Sequence, residues 1–209
     1  MPRAFTDRER ERIHSKLLAA GRSCFTRYGL RKTTIDDLVE LAGIAKSSFY
    51  LFFASKEMLY MEVLFTELPA MVQRLIDASF GTTDDAREVL VRLLHGIVHE
   101  IETNEFARIL LDDPGQLMQA MHTLDTGDIL KRSMELYEPL IREIVEAQAR
   151  GEIVPGDPQE ILYSLGMIKL LPLGRDSIPE GLYRSLLEFL PQVIADGLTC
   201  PVRTHKGER

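Results

Sequence analysis

The 209-residue chain has no tryptophan, only two cysteines and no long apolar run. Each shortage removes a class of protein. Cys24 and Cys200 are far apart in sequence and lack any close spacing or activating motif, so they read as two free thiols in a reducing compartment rather than a disulfide framework or a redox pair. No stretch reaches the roughly 18 apolar residues that a membrane span needs. The most apolar segment, Ile161–Gly174 (ILYSLGMIKLLPLG), is interrupted by Lys169 and Pro172. The opening MPRAFTDRERERIH is charged and lacks the apolar centre of a secretion signal, so a cytoplasmic protein with no membrane partner is expected. There is no convincing strand alternation, no internal repeat and no low-complexity segment. A glycine-rich phosphate loop and a nucleophile elbow are also missing, so the chain is not expected to be an enzyme, and no cofactor is implied.

What is present is an ordinary globular composition, 45% apolar and 27% charged, in a chain long enough to bury a core. The net charge of −7 argues against a protein coated for nucleic acid, but the average hides a split. Residues 1–60 carry a net +4 and the remainder −11. A basic head on an acidic body suggests that only the head meets an anionic partner.

Helical periodicity dominates the rest. Ile13, Leu17, Ala20, Cys24 and Tyr28 recur at steps of three and four, which predicts a helix over 6–28 closed by Gly29. Thr33, or Thr34 beside it, caps the next helix, and Thr33–Asp36 has the spacing of a capping box. Ile35, Leu38, Val39 and Ala42 form that helix's inner face, and Gly43 stops it. Ser55 caps a fourth helix that runs to about Ala78, with a kink or break expected at Pro69. Further helices are expected over 84–102, 105–111, 116–121, 128–150, 159–171 and 179–198. The expected fold is all-α, with about nine helices.

One short stretch, AKSSFYLFF (Ala45–Phe53), sets a lysine and two serines against four large apolar side chains and a tyrosine. Behind the Gly43 turn, a helix starting near Ala45 makes sense of the mixture. Phe49 and Phe52 or Phe53 point one way and anchor the helix to its neighbours. Lys46, Ser47 and Tyr50 point the other way, with Ser48 at the flank. Helix, glycine turn, helix is the plan of a helix-turn-helix DNA reader, and an ammonium with hydroxyls suits phosphates and groove edges. The same face also reads as ordinary solvated surface.

The longer segment TTIDDLVELAGIAKSSFYLFFASKEMLY (Thr33–Tyr60) resembles the DNA-binding signature of the TetR family of bacterial transcriptional regulators. The matching features are the Thr-Thr pair, Leu38 and Val39, the Ala42-Gly43-Ile44 turn, Phe49-Tyr50, Phe53, and the Ser55-Lys56-Glu57-x-Leu59 ending. AAGRSCFTRYGLRKTT (Ala19–Thr34) fits upstream, so the likeness covers roughly Leu17 to Val63. The resemblance implies an N-terminal helix-turn-helix domain, residues 1–57, followed by a helical effector-binding and dimerisation domain, residues 58–209. It implies that Thr33 or Thr34 and Tyr50 bind phosphates of a double-stranded DNA operator. Lys46, Ser47 and Ser48 would face the major groove, and Lys56 would hold the backbone. Leu51-Phe52 departs from the family's more polar or aromatic usage, which leaves Lys46 as the one long polar side chain on the reading helix. DNA shape or the segment Arg3–Arg12 would then share the specificity.

The resemblance further implies a homodimer built on the last two helices. Leu162, Leu165, Ile168 and Leu171 make one apolar stripe, and Leu182, Leu186, Phe189, Leu190 and Val193 another, although both could pack inside one monomer. Phe106, Leu110, Leu117, Met118, Met121, Met134, Tyr137 and Met167 are candidates to line an effector site, with Arg108, His95 and His99 as polar contacts; core packing is the competing reading for each. Their apolar bias suggests a greasy effector. His95 and His99, at i and i+4, could bind a metal but more often mark a polar helix edge. Glu11 and His14 form a single Glu-x-x-His element where a di-iron bundle needs two, so no metal is expected. The expected function is a repressor released from its operator by a small apolar effector. The alternative is a helical DNA-binding adaptor or architectural protein without such a ligand.

Overall fold

The computed structural model describes residues 5–104 and 126–199. The elements in chain order are α1 (Asp7–Lys32), α2 (Ile35–Ala42), α3 (Lys46–Phe49), α4 (Lys56–Ser79), α5 (Ala86–Thr103), α6 (Thr126–Ala149), α7 (Pro158–Gly166), α8 (Leu170–Leu173) and α9 (Glu180–Thr199). Short 3₁₀ turns, Met167–Lys169 and Arg175–Ser177, precede and follow α8. The fold is all-α: no strand occurs among the described residues. The expected helices over 105–111 and 116–121 lie outside them.

The chain forms two compact units, one of Met1–Pro69 with Asn104–Met134 and one of Ala70–Thr103 with Glu135–Arg209. The division falls inside α4 and inside α6.

In the first unit, α1 opens on a full capping box. Thr6 accepts from Glu9 N–H at 3.3 Å, and Glu9 accepts from the Thr6 N–H at 2.9 Å. The long helix closes at Gly29 as expected, where the backbone leaves helical geometry (φ 73°, ψ 168°), and one further short turn reaches Lys32 beyond this kink. The α2 box closes one residue later than the Thr33–Asp36 spacing suggested, on Thr34 and Asp37. A core centred on Leu17, Phe25, Leu38, Phe49 and Leu59 ties α1 to α4 together. At Gly21 a side chain would meet Val63 Cγ2 at 3.0 Å and Leu59 Cγ at 3.2 Å, so glycine permits the close approach of α1 and α4.

Of the kink or break expected at Pro69 from its missing N–H, the break does not occur, and α4 is continuous. Leu64 and Val72, both buried, keep the flanking turns anchored, and burial outweighs the local propensity. In the second unit, α5 packs against α9 around Leu93, Leu94, Leu165 and Ala195. The helix expected over 159–171 instead divides at Gly166 into α7, a 3₁₀ turn and α8. Pro172 supplies no N–H to continue an i→i−4 ladder, which fits the tightened turn before it. Tyr183, 2% exposed, donates to Glu102 Oε1 at 2.6 Å and lies under the Arg175 guanidinium, pinning α9 to α5. No helix of the described residues is long and apolar enough to cross a membrane.

Candidate nucleic-acid interface and inner cavity

α3 is positioned by the turn before it. Gly43 takes the left-handed conformation (φ 65°, ψ 45°), its N–H bonds Glu40 O, and Ile44 N–H bonds Val39 O at 3.0 Å. A four-residue helix has little stability of its own, so its rings must hold it. Phe49 has no exposed surface and Phe53 is 6% exposed. His14 of α1 stacks on Phe53 with centroids 5.4 Å apart. Phe52 is half-buried beside Phe5, with the Arg10 guanidinium 5.4 Å above its ring. The opposite side exposes Lys46, Ser47 and Tyr50, with Ser48 half-buried at the flank.

Lys46 is not free. Its Nζ donates to Asp36 Oδ2 at 2.9 Å, and that hydrogen bond raises its pKa. Thr34 is exposed at the start of α2, where its Oγ1 donates to Asp37 Oδ2 at 2.6 Å. This bond, and then the one from the Thr34 N–H, lower the Asp37 pKa.

Two residues assigned to phosphates by resemblance face inward. Thr33 is fully buried, its hydroxyl donating to Gly29 O at 2.8 Å with Cys24 O at 3.2 Å. Lys56 Nζ donates to the carbonyls of Leu30, Arg31 and Thr33 at 2.8, 3.3 and 2.7 Å. An ammonium has three N–H groups, and all three meet orphan carbonyls at the C-terminal end of α1, where the helix dipole favours a cation. A lysine in the first turn of its own helix carries the disfavoured charge there, and that is the sequence signal for a partner elsewhere.

In the second unit, Leu165 and Ile168 are buried in the unit's own core and Leu162 is half-buried. The outward apolar face lies one step round the helix, on Tyr163, Met167 and Leu170, each just over half exposed. On α9, Leu182, Phe189 and Val193 are exposed, Phe189 by 61%, and Leu186 is half-buried.

The same unit holds a cavity of about 100 Å³ that is open to solvent on one side. Its floor is the buried side chains of Val72, Leu75, Leu93, Leu140 and Leu165, and its polar groups are Glu100, Tyr137, Tyr163 and Lys169. Glu100 accepts from Arg74 Nε and Nη2, both at 2.7 Å. Burial raises the Tyr137 pKa, with a smaller contribution from Tyr163. Of the expected effector residues, Tyr137 lines this cavity. Met134 and Met167 are exposed and line nothing here. Phe106, Leu110, Leu117, Met118 and Met121, with Arg108, lie outside the described residues. His95 Nε2 sits 3.1 Å from Leu187 O, and neither it nor exposed His99 reaches the cavity. Among the described residues no three potential metal ligands come together. Lys169, Tyr163 and Glu100 were missed by sequence reasoning, because their shared cavity joins segments far apart in the chain.

The family described as bacterial regulatory proteins, tetR family, matches residues 17–63, which take in α2, α3 and their buried rings. The HTH-type transcriptional regulator RutR of Escherichia coli K12 is 38% identical over 160 residues, spanning 71% of this chain and 68% of RutR. The chain belongs to the tetR family of bacterial regulatory proteins. It is thus a DNA-binding transcription regulator, not an enzyme. An uncharacterised HTH-type regulator of Bacillus subtilis, YhgD, is 27% identical over 74% of this chain and 78% of its own. The crystal structure of a TetR-family regulator from Pectobacterium atrosepticum superposes with a TM-score of 0.72 at 21% identity, covering 94% of this chain and 98% of that one. RolR in complex with resorcinol gives 0.67 at 16% identity, covering 91% and 96%. At those identities the two structures speak for the TetR-family fold alone.

Proposed function

We propose that the protein is a cytoplasmic repressor that leaves its operator when a small, mainly apolar effector enters the second unit. One observation carries this reading: a chain of a DNA-binding family holds an apolar-floored cavity in the unit that does not carry α3. RolR, similar in fold, is known in complex with resorcinol, which supports a small-molecule site in this architecture.

Residues 1–57 serve as the DNA-binding part and 58–209 as the effector and dimerisation part. Thr34 and Tyr50 meet phosphates, and Lys46, Ser47 and Ser48 meet the major groove, while Thr33 and Lys56 support the head from inside. The homodimer forms through the exposed face of α9, Leu182, Phe189 and Val193, with Tyr163, Met167 and Leu170 beside it in sequence pattern. Two reading helices about 34 Å apart then reach successive major grooves. The effector acts through different affinities for DNA-fitting and non-fitting states, a coupling of about 1–3 kcal/mol.

The test is direct. Purified protein is bound to DNA from upstream of its own gene, and small apolar compounds are added. Release by a compound that also protects Tyr137 from chemical modification supports the reading. Release by none, with tight DNA binding intact, favours the adaptor function instead.

A further inference from the structure

Lys169 stands at the rim of the cavity, on the 3₁₀ turn between α7 and α8. Its ammonium folds back over Gly166, with Nζ 3.7 Å from where a Cβ on that glycine would lie. No carboxylate among the described residues pairs with it. Glu100, the acid among the described lining residues, accepts from Nε and Nη2 of the Arg74 guanidinium. Loss of hydration lowers the Lys169 pKa, with no neighbouring charge contributing. Lys169 is nonetheless among the exposed residues, so water reaches part of its side chain.

Among the described residues the lining therefore holds one cation, Lys169, with no paired carboxylate. Arg74 and Glu100 offset each other, and Tyr137 and Tyr163 contribute neutral hydroxyls. A neutral greasy ligand would strip water from the ammonium and return no acceptor, and a cationic one would be repelled. An anion would both offset the charge and accept hydrogen bonds, and charge-assisted hydrogen bonds are about twice as strong as neutral ones.

We propose that the cavity takes a small apolar carboxylic acid, with its carboxylate on Lys169 and its hydrocarbon body against Leu75, Leu93 and Leu140. The proposal rests on the reading of this cavity as the effector site. An apolar cavity of about 150 Å³ holds one benzene, so a space of about 100 Å³ suits a body of roughly four carbons, with the carboxylate and the carbon next to it at the rim.

The experiment titrates hexanoate, hexan-1-ol and hexylamine into the full-length protein by calorimetry. Hexanoate is expected to bind roughly tenfold more tightly than hexan-1-ol, with hexylamine weakest. Lys169→Met keeps the stem of the side chain. It should bring hexanoate down to the level of the alcohol or below, while the alcohol binds at least as well as before, which also reports that the cavity is folded. Lys169→Arg should keep most of the preference. Equal binding of acid and alcohol, an acid preference that survives Lys169→Met, or binding of none of the three would each overturn the proposal. The same compounds are then added to the DNA complex. Lys169-dependent hexanoate binding that leaves the DNA bound would overturn the effector reading and spare the ligand class. Release by hexan-1-ol as readily as by hexanoate would spare the effector reading and overturn the class.

Discussion

Lys46 and Lys56 have the same charge and sit ten residues apart, yet their surroundings give them different work. Lys56 is half-buried with three carbonyls on its ammonium, so Lys56→Met leaves those acceptors without partners. A loss of about 1–3 kcal/mol of stability is expected, measured by denaturant unfolding without DNA. The salt dependence of DNA binding should barely change, because that slope counts phosphate contacts. Lys46 presents the reverse case. Its pair with Asp36 is exposed and adds little stability, and DNA must compete for the ammonium. Asp36→Asn should therefore tighten DNA binding by up to about fivefold at low salt. Lys46→Ala should weaken operator binding by a larger factor than random-DNA binding, the mark of a base-edge contact. Fluorescence anisotropy over a salt series reads both. If Lys46→Ala weakens operator and random DNA by the same factor, Lys46 contacts phosphate and not base edges.

At the scale of elements, the caps make a pH-dependent contribution. Glu9 and Asp37 both have lowered pKa values, through bonds from the Thr6 backbone and side chain and from the Thr34 side chain and backbone. A carboxyl with a lowered folded pKa adds stability that is complete above its ordinary value, 4.5 for Glu9 and 3.8 for Asp37, and is lost as pH falls through the folded one. Thr34→Val should thus lower Tm at pH 7, and its gap to the parent should narrow on acidification below about pH 4. Thermal unfolding followed by circular dichroism across that range checks it.

The same caps show what sequence can and cannot say. Thr33–Asp36 and Thr34–Asp37 have identical spacing, so local chemistry could not choose between them. The choice is made by the burial of Thr33 against Gly29 and Cys24, which is a tertiary fact. The rings of α3 were legible because Phe49 and Phe53 repeat at helical spacing and have a core to meet. Lys56 was misread because its partners lie 23 to 26 residues back, where no period reaches. On α7, periodicity identified an apolar helix, but apolar residues lie on both sides of it. Leu165 faces the core and Tyr163 does not, and nothing local separates the two. The cavity was the least legible feature, since Leu75, Leu93, Tyr137 and Lys169 come from four separate helical segments.

For the whole molecule, the proposed dimer and the proposed effector response make linked demands. Phe189 is the most exposed large apolar side chain on α9, and a charge placed at the centre of a self-paired face is met by its own copy. Phe189→Asp should yield monomers in analytical ultracentrifugation and weaken operator binding by far more than any single DNA contact, because one reading helix cannot span two half-sites. In the intact dimer, the effector has to alter the spacing of the two α3 helices, since a ligand shifts only equilibria whose states it binds differently. α4 holds residues of both compact units and has Pro69 at the division between them, so it is the element best placed to carry such a change. One nitroxide per protomer at Ser23→Cys, on the exposed side of α1 and in a background with Cys24→Ala and Cys200→Ser, reports the head-to-head distance. A compound that releases DNA should move that distance distribution. A distribution that stays fixed while DNA is released would show that the ligand acts without re-spacing the heads, and α4 would lose its role as the lever.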